Sequence, residues 1–331
     1  MSKVKKGTWL GLFAFGFTPA LAFSSSYLLY FEAQGIAGYG TASRNIIFYS
    51  IDLMEAMQKP SLGFDLIQKF SGKRGDVVTL AVQARLAFNA EGEKTLEPQL
   101  YNAYVRLKTK PADIWVGHNR PKFGLASSLD SHSLLLQPLS MNGFGFDRDW
   151  GLGGERDFSW GNAGLSLTTG SGMALRLRRS YFLAGRTAFG VLSRDNFSLG
   201  LSAGYGRLLE VMGYHILSEE PLRFLMAGFD LTWLWNNWEN RVELLAGERN
   251  GESSAAFLWR LGLSLLEESR LKVELQPVVY KADHQILGHF SVGVAYLLSP
   301  DWTLRFMTQR DRERQETRFI FQVYYYKGIR F

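Results

Sequence analysis

The chain has 331 residues, 46% hydrophobic and 14% aromatic, with 34 glycines, 9 prolines and a formal charge of +6. It contains no cysteine, which excludes a disulfide framework, thiolate chemistry and zinc sites built on Cys. Its basic residues are dispersed with no basic helix, which argues against a nucleic-acid partner. Beyond the N-terminus no run of roughly 18 apolar residues exists to make a spanning helix.

The N-terminus carries Lys3, Lys5 and Lys6, then the apolar stretch Trp9 to Phe17, then Pro19, Ala20, Leu21 and Ala22. Positive, apolar and small-residue regions in that order read as a secretory signal peptide. Residues 1–22 are therefore expected to be cleaved after Ala22, leaving 23–331 as one domain with 34 basic and 31 acidic residues.

From Tyr27 onward the dominant period is two, the signature of half-buried strands. In one segment Val78, Leu80, Val82, Ala84, Leu86 and Phe88 share a face, with Thr79, Gln83 and Arg85 opposite. Phe197, Leu199, Leu201, Ala203 and Tyr205 repeat the pattern over small polar residues, as do Phe257, Trp259, Leu261 and Leu263. Strands are expected near 27–40, 61–70, 76–89, 97–108, 112–120, 148–158, 162–170, 173–180, 184–192 and 196–206. They continue near 209–217, 222–235, 238–249, 255–267, 270–282, 288–298, 302–311 and 318–331. The stretches 173–192 and 209–217 are the least regular, so the count is sixteen or eighteen. Short turns (71–75, 108–111, 236–237, 267–269, 299–301) alternate with longer or more polar connections (41–60, 90–96, 121–147, 218–221, 250–254, 283–287, 312–317). The two kinds therefore gather at opposite ends of the sheet.

The longest connection, Pro121 to Asp147, holds Leu125, Leu134, Leu135, Leu136, Leu139, Met141, Phe144 and Phe146, with Gly124, Gly143 and Gly145 as bending points. So apolar a loop needs a surface to pack on.

The last strand, Arg318 to Phe331, places Phe319, Phe321, Val323, Tyr325, Ile329 and Phe331 on one face. Lys327 is the one departure. This ending resembles the C-terminal strand by which Gram-negative outer-membrane β-barrels are recognised for assembly. The segment Gly117-His118-Asn119-Arg120-Pro121-Lys122-Phe123-Gly124 resembles the loop base of porin-like families, phosphate-selective porins among them. The resemblance implies an all-β, transmembrane antiparallel β-barrel of 16–18 strands in the outer membrane. Its partners would be outer-membrane lipids, the barrel-assembly machinery acting on the strand ending at Phe331, and small hydrophilic solutes; it allows a homotrimer. It also makes 121–147 the loop that folds inward as a constriction or plug. The loop's site residues would be Pro121, Lys122, Phe123, Gly124, Asp130, His132, Phe144, Phe146, Asp147 and, at its end, Arg148.

In such a barrel the polar face lines the lumen. Alternation places Arg85, Arg106, Lys108, Arg176, Arg178, Arg241, Arg260, Lys272, Arg305, Arg318 and Arg330 inward, with fewer acids, among them Glu32, Asp65, Asp113, Asp230, Glu239, Glu243 and Glu274. An excess of Arg and Lys favours anions in a narrow pore; the other reading is that these charges pair across neighbouring strands. The function implied is passive diffusion of small hydrophilic solutes with weak anion preference. The alternatives are a non-conducting structural or docking barrel and an outer-membrane hydrolase. For the last, His289 and Ser291 share a strand face and Asp283 adjoins His284, but Ser291 lies on the polar face and no metal motif appears. No cofactor, metal or enzymatic activity is expected. Trp233, Trp235, Trp259 and Trp302 read as an interfacial girdle.

Overall fold

The computed structural model describes residues 24–42, 44, 46–47, 58–73, 75–88, 96–282, 284–312 and 315–329. The expected signal peptide (1–22), Asp283, Arg330 and the terminal Phe331 lie outside the described residues, as do large parts of the 41–60 and 90–96 connections.

Sixteen long strands form one closed sheet. They are β1 (Ser24–Gly40), β2 (Ser61–Gly72), β3 (Gly75–Phe88), β4 (Leu96–Lys108), β5 (Asp113–Asn119), β6 (Asp149–Phe158), β7 (Gly161–Thr168) and β8 (Tyr181–Phe189). The second half comprises β9 (Phe197–Met212), β10 (His215–Trp235), β11 (Trp238–Arg249), β12 (Glu252–Leu265), β13 (Leu271–Ala282), β14 (Gln285–Ser299), β15 (Trp302–Asp311) and β16 (Glu316–Ile329). A two-residue strand, Ile46–Ile47, adds to the edge of β1. Every strand pairs antiparallel with the next, and the sheet closes where β1 meets β16, from Leu29 opposite Ile329 to Gly40 opposite Arg318. The count is the smaller of the two expected. The alternation of short and long connections holds over the first seven strands but not beyond: the connections after β9, β11 and β13, expected to be long, are two-residue turns between extended strands.

Two expected strands are absent. Residues 173–180 alternate Leu175, Arg176, Leu177, Arg178 like a strand, yet they form the irregular connection between β7 and β8. The chain turns there because Gly170 and Gly172 sit at φ of 69° and 64°. The Asp149 carboxylate holds the turn, accepting from Thr169 Oγ1 (2.8 Å) and the Gly170 N–H (2.7 Å). Residues 209–217 are not a separate strand either: β9 and β10 run long and meet in a hairpin at Gly213 and Tyr214. The expected 218–221 connection lies within β10.

The outward faces carry large apolar side chains on every side, with Leu165 59% and Val116 57% exposed. Trp160, Trp233, Trp235, Trp238 and Trp302 are exposed near the short turns, where an aromatic girdle would meet a headgroup layer.

The inner face departs from the expected uniform polarity. Phe182 and Ala184 on β8, Leu208 on β9, Phe224 and Met226 on β10, Leu245 on β11, Ala256 and Leu258 on β12 and Val278 on β13 are buried in a core inside the barrel. Its other half is the 120–148 connection, described next.

Replacing outward Leu165 with Arg is expected to cost about 2–4 kcal/mol of folding stability in lipid vesicles. Denaturant titration of refolded protein measures this, and a change below about 0.5 kcal/mol would mean that the face meets water.

Candidate functional site: the inward loop and the lumen wall

The β5–β6 hairpin stops at Asn119 and Asp149, shorter than its neighbours, and the connection between these ends turns into the lumen. Phe123, Leu125, Leu129, Leu139, Phe144 and Phe146 pack into the apolar wall of β8–β13. Phe123 meets Phe182 and Phe224 edge-on, at ring separations of 5.6 and 5.8 Å. On the other side Leu135 and Leu136 pack with Ile36, Met307 and Ile320 from β1, β15 and β16. The loop thus spans the lumen from the β6–β13 wall to the closing seam.

Hydrogen bonds fix it along its length. The Lys122 N–H donates to Ser166 Oγ (2.9 Å), and its ammonium pairs with Glu155. Glu243 accepts the Leu125 N–H at 2.8 Å. Arg260 donates to the Leu136 carbonyl (2.8 Å) and Gln276 to the Gln137 carbonyl (3.0 Å). Gln58 donates to the Leu134 carbonyl at 2.9 Å. His132 Nε2 lies 2.7 Å from Glu32, and the Tyr324 hydroxyl donates to the same carboxylate from 3.1 Å. One His therefore ties the loop to both the first and the last strand. Gly124 (φ 58°), Gly143 (φ 82°) and Gly145 (φ 91°) supply left-handed backbone, as their bending role anticipates. At Gly124 a side chain would also intrude on the Glu243 carboxylate.

Within the loop only Ser128 and Asp130 present exposed side chains. Asp130 keeps 59% of its side-chain surface and pairs with Arg120 at 2.9 Å. Behind it, Arg148 is fully buried: it meets Asp130 at 3.4 Å, Asp147 at 3.1 Å and Asn102 Oδ1 at 2.9 Å. Its guanidinium also lies 4.8 Å from the centre of the Tyr101 ring. Burial alone would raise the Asp130 carboxyl, but the Arg120 and Arg148 guanidiniums outweigh it and hold it below the usual carboxylate range.

The residues expected along the lumen fall into three groups. Arg106 pairs with Glu155 (3.3 Å), Lys272 with Glu239 (2.8 Å) and Glu274 (3.1 Å), Arg241 with Glu239, and Arg318 with Glu316 (2.9 Å). Arg85, Arg260 and Arg305 instead donate to glutamines: Gln99 (2.8 Å), Gln276 (2.6 Å) and Gln322 (2.9 Å). Lys108 is exposed at the short-turn end of β4. Arg176 and Arg178, expected inside, lie on the exposed β7–β8 connection, and Arg176 reaches Glu219 at 3.4 Å. Sequence reading missed Arg186, which forms a buried two-pronged pair with Asp230 (2.9 and 2.6 Å); the strand expected over 184–192 contained it, but its face was not assigned. Ser291 is buried, opposite Gln276 in register. No group of three or more His, Cys, Asp or Glu suited to a metal occurs among the described residues.

No family model and no curated protein matches the chain. Solved structures do. A loop-deletion form of OmpT, an outer membrane protein of Vibrio cholerae, superposes with a TM-score of 0.65 at 10% identity, over 92% of this chain and 99% of that one. The anion-selective porin of Comamonas acidovorans gives 0.63 at 13% identity, over 92% and 100%. Salmonella typhi OmpF, in complex with daunomycin, gives 0.62 at 10%, over 91% and 97%.

The Arg120–Asp130 contact has a defined pH dependence. Because Asp130 is lowered in the folded protein, its contribution to stability is full above the unfolded carboxyl's pKa of about 3.9. It is lost as pH falls through the lower folded value. Denaturant-unfolding midpoints measured at a series of pH values should therefore differ between wild type and Asp130→Asn at neutral pH and converge below that value; an unchanged gap at low pH would contradict the pairing. Sixteen antiparallel strands, closed on themselves and narrowed by an inward loop, give this chain the porin barrel fold.

Proposed function

We propose that the protein is a porin-like channel of a Gram-negative outer membrane, passing small solutes by passive diffusion beside the inward loop. The observation that carries this reading is the loop's asymmetry. Its apolar side is buried against the wall, while its only exposed side chains, Ser128 and Asp130, are polar, and Asp130 pairs with Arg120. A closed barrel of sixteen strands has room for an aqueous passage, and the apolar outer surface supports a lipid setting with outer-membrane lipids as its surroundings.

Weak anion preference is part of the proposal. The bases paired with carboxylates contribute little net field. Arg85, Arg260 and Arg305 have no carboxylate at ion-pair distance among the described residues. Fixed positive charge with no counter-charge in contact lowers the cost of admitting an anion.

The non-conducting barrel remains the second reading because the loop contributes six side chains to a core inside the lumen. Planar-bilayer recordings separate the two. The full chain should conduct, with a reversal potential of the sign expected for a mild excess of anions. Deleting Ser127–Ser140 should raise unit conductance severalfold. A silent wild type that conducts only after the deletion would favour the plug; cation preference would overturn the charge assignment.

A further inference from the structure

The outer surface of β9 and β10 ends on a pair of like charges. From Phe197 opposite Trp233 to Tyr205 opposite Leu225, the five outward pairs in register are all apolar or aromatic. The next outward pair is Arg207 opposite Arg223. Their neighbours Leu208 and Phe224 belong to the inner core, so both arginines leave from the lipid side of the sheet. Arg207 stands ten positions beyond Phe197. At about 3.3 Å per residue and a tilt of about 40°, that distance is roughly 25 Å, the height of the apolar band of an outer-membrane barrel. The pair therefore sits where hydrocarbon gives way to head groups, at the end away from Trp233 and Trp235. This is the side of the 120–148 and 169–180 connections, which in an outer-membrane barrel is the extracellular leaflet.

A single arginine at a barrel rim is ordinary, since its long stem lets the charge reach water. Two directly opposite each other on neighbouring strands repel, and little in the structure offsets them. Glu248 approaches Arg223 only to 3.9 Å, and that arginine side chain is 60% exposed. Arg207 is exposed and has no carboxylate at ion-pair distance among the described residues. On its other side Arg207 lies opposite Tyr181, whose ring stands edge-on to Tyr205 at 6.0 Å. The connection leading into Tyr181 repeats the combination of apolar and positive side chains. There Leu177 is 79% exposed between the exposed Arg176 and Arg178, of which Arg176 is engaged by Glu219 at 3.4 Å.

We propose that Arg207 and Arg223 dock the phosphomonoester head group of an anionic lipid in the outer leaflet. Two guanidiniums at opposite positions match a group that carries close to two negative charges near neutral pH. Each can bind phosphate oxygens through two N–H groups at once. The acyl chains then lie along the apolar pairs next in line, Tyr205–Leu225 and Leu201–Phe229 among them. A soluble anion would meet the arginines but gain nothing from those pairs, so the occupant is a lipid. The inference rests on the membrane setting of the proposed function and is independent of conduction.

The test uses the full-length protein refolded into vesicles of phosphatidylcholine, alone or mixed with phosphatidic acid as the phosphomonoester probe. Circular dichroism follows its unfolding by denaturant. Arg207→Gln removes the repulsion and the docking contact together, so its effect should change sign with the lipid. In phosphatidylcholine the variant's midpoint should lie above that of the wild type; with phosphatidic acid it should lie below. A shift of the same sign in both, or no shift in either, overturns the inference. Arg156→Gln, at an exposed arginine near the short turn after β6, should show no reversal, and a reversal there would reduce the effect to general attraction and overturn the site. An equal reversal in phosphatidylglycerol, whose phosphodiester carries a single charge, overturns the phosphomonoester assignment. Inorganic phosphate should leave the wild-type midpoint in phosphatidylcholine unchanged; stabilisation equal to that by phosphatidic acid would overturn the lipid as occupant. Native mass spectrometry of the wild type in a non-ionic detergent gives a reading that needs no variant. One phosphatidic acid should be retained about tenfold more tightly than phosphatidylcholine, and equal retention overturns the inference. A chain that enters vesicles of none of these compositions refutes the membrane setting; one that enters them without lipid preference refutes the docking site alone.

Discussion

The structure depends on one constraint: a sheet that is apolar on its outer face must leave no backbone group unpaired. A hydrocarbon surrounding offers N–H and C=O groups no partner, and an open edge would expose a full row of them. The in-register pairing of β1 with β16, twelve residue pairs from Leu29–Ile329 to Gly40–Arg318, removes that edge. His132 adds a third party at the same seam. Its contact with Glu32 on β1, whose carboxylate also accepts from Tyr324 on β16, couples the placement of the inward loop to barrel closure. A barrel that failed to close would also lose one anchor of its loop.

Closure fixes the outside, but the inside is built on a different principle. In the β8–β13 sector both faces of the sheet are apolar toward the long-connection end. Leu225 faces outward, for instance, while its neighbours Phe224 and Met226 face the core. The loop supplies the matching half, so this part of the lumen resembles the interior of a soluble protein. Burying a Phe or Leu side chain contributes on the order of 1.5–3 kcal/mol, and six of them from one loop outweigh what a few polar contacts alone would provide. Charged residues inside the barrel sit beyond this core and mostly neutralise one another in pairs. The buried Arg186–Asp230 pair is the extreme case, since separating its members would strand a charge in a dry site.

Much of this was legible in the sequence. The period-two segments, the loop after the fifth strand and the glycines at its bends follow from side-chain alternation and turn chemistry, and the strands over 238–249 and 302–311 match their expected limits. The failures have physical causes. Leu175 to Arg178 alternate without forming a strand, because Gly170, Gly172 and the Asp149 carboxylate commit the preceding backbone to a turn. Period two shows that a face is apolar, not what it touches. The inward Leu208, Phe224, Leu245 and Leu258 therefore carried no sign that a loop 60 to 130 residues earlier would cover them. Partner choice is equally invisible: the three arginines on glutamines and those on carboxylates look alike until the strands are placed side by side.

The extent of the anchoring also bears on how far the loop can move. A loop held by backbone hydrogen bonds to Glu243, Arg260 and Gln276, and by an aromatic cluster at its base, cannot swing aside without exposing that cluster and breaking those bonds together. Movement of the whole segment is therefore costly. What remains free to adjust is local: the exposed Asp130 side chain, balanced between Arg120 on one side and the buried Arg148 on the other. Arg148 is fixed from four directions, whereas Arg120 and Asp130 keep exposed surface and can exchange their contact for water. Packing that does not change thus holds the loop in place, while the charge on its exposed surface is set by one ion pair that can exchange for water.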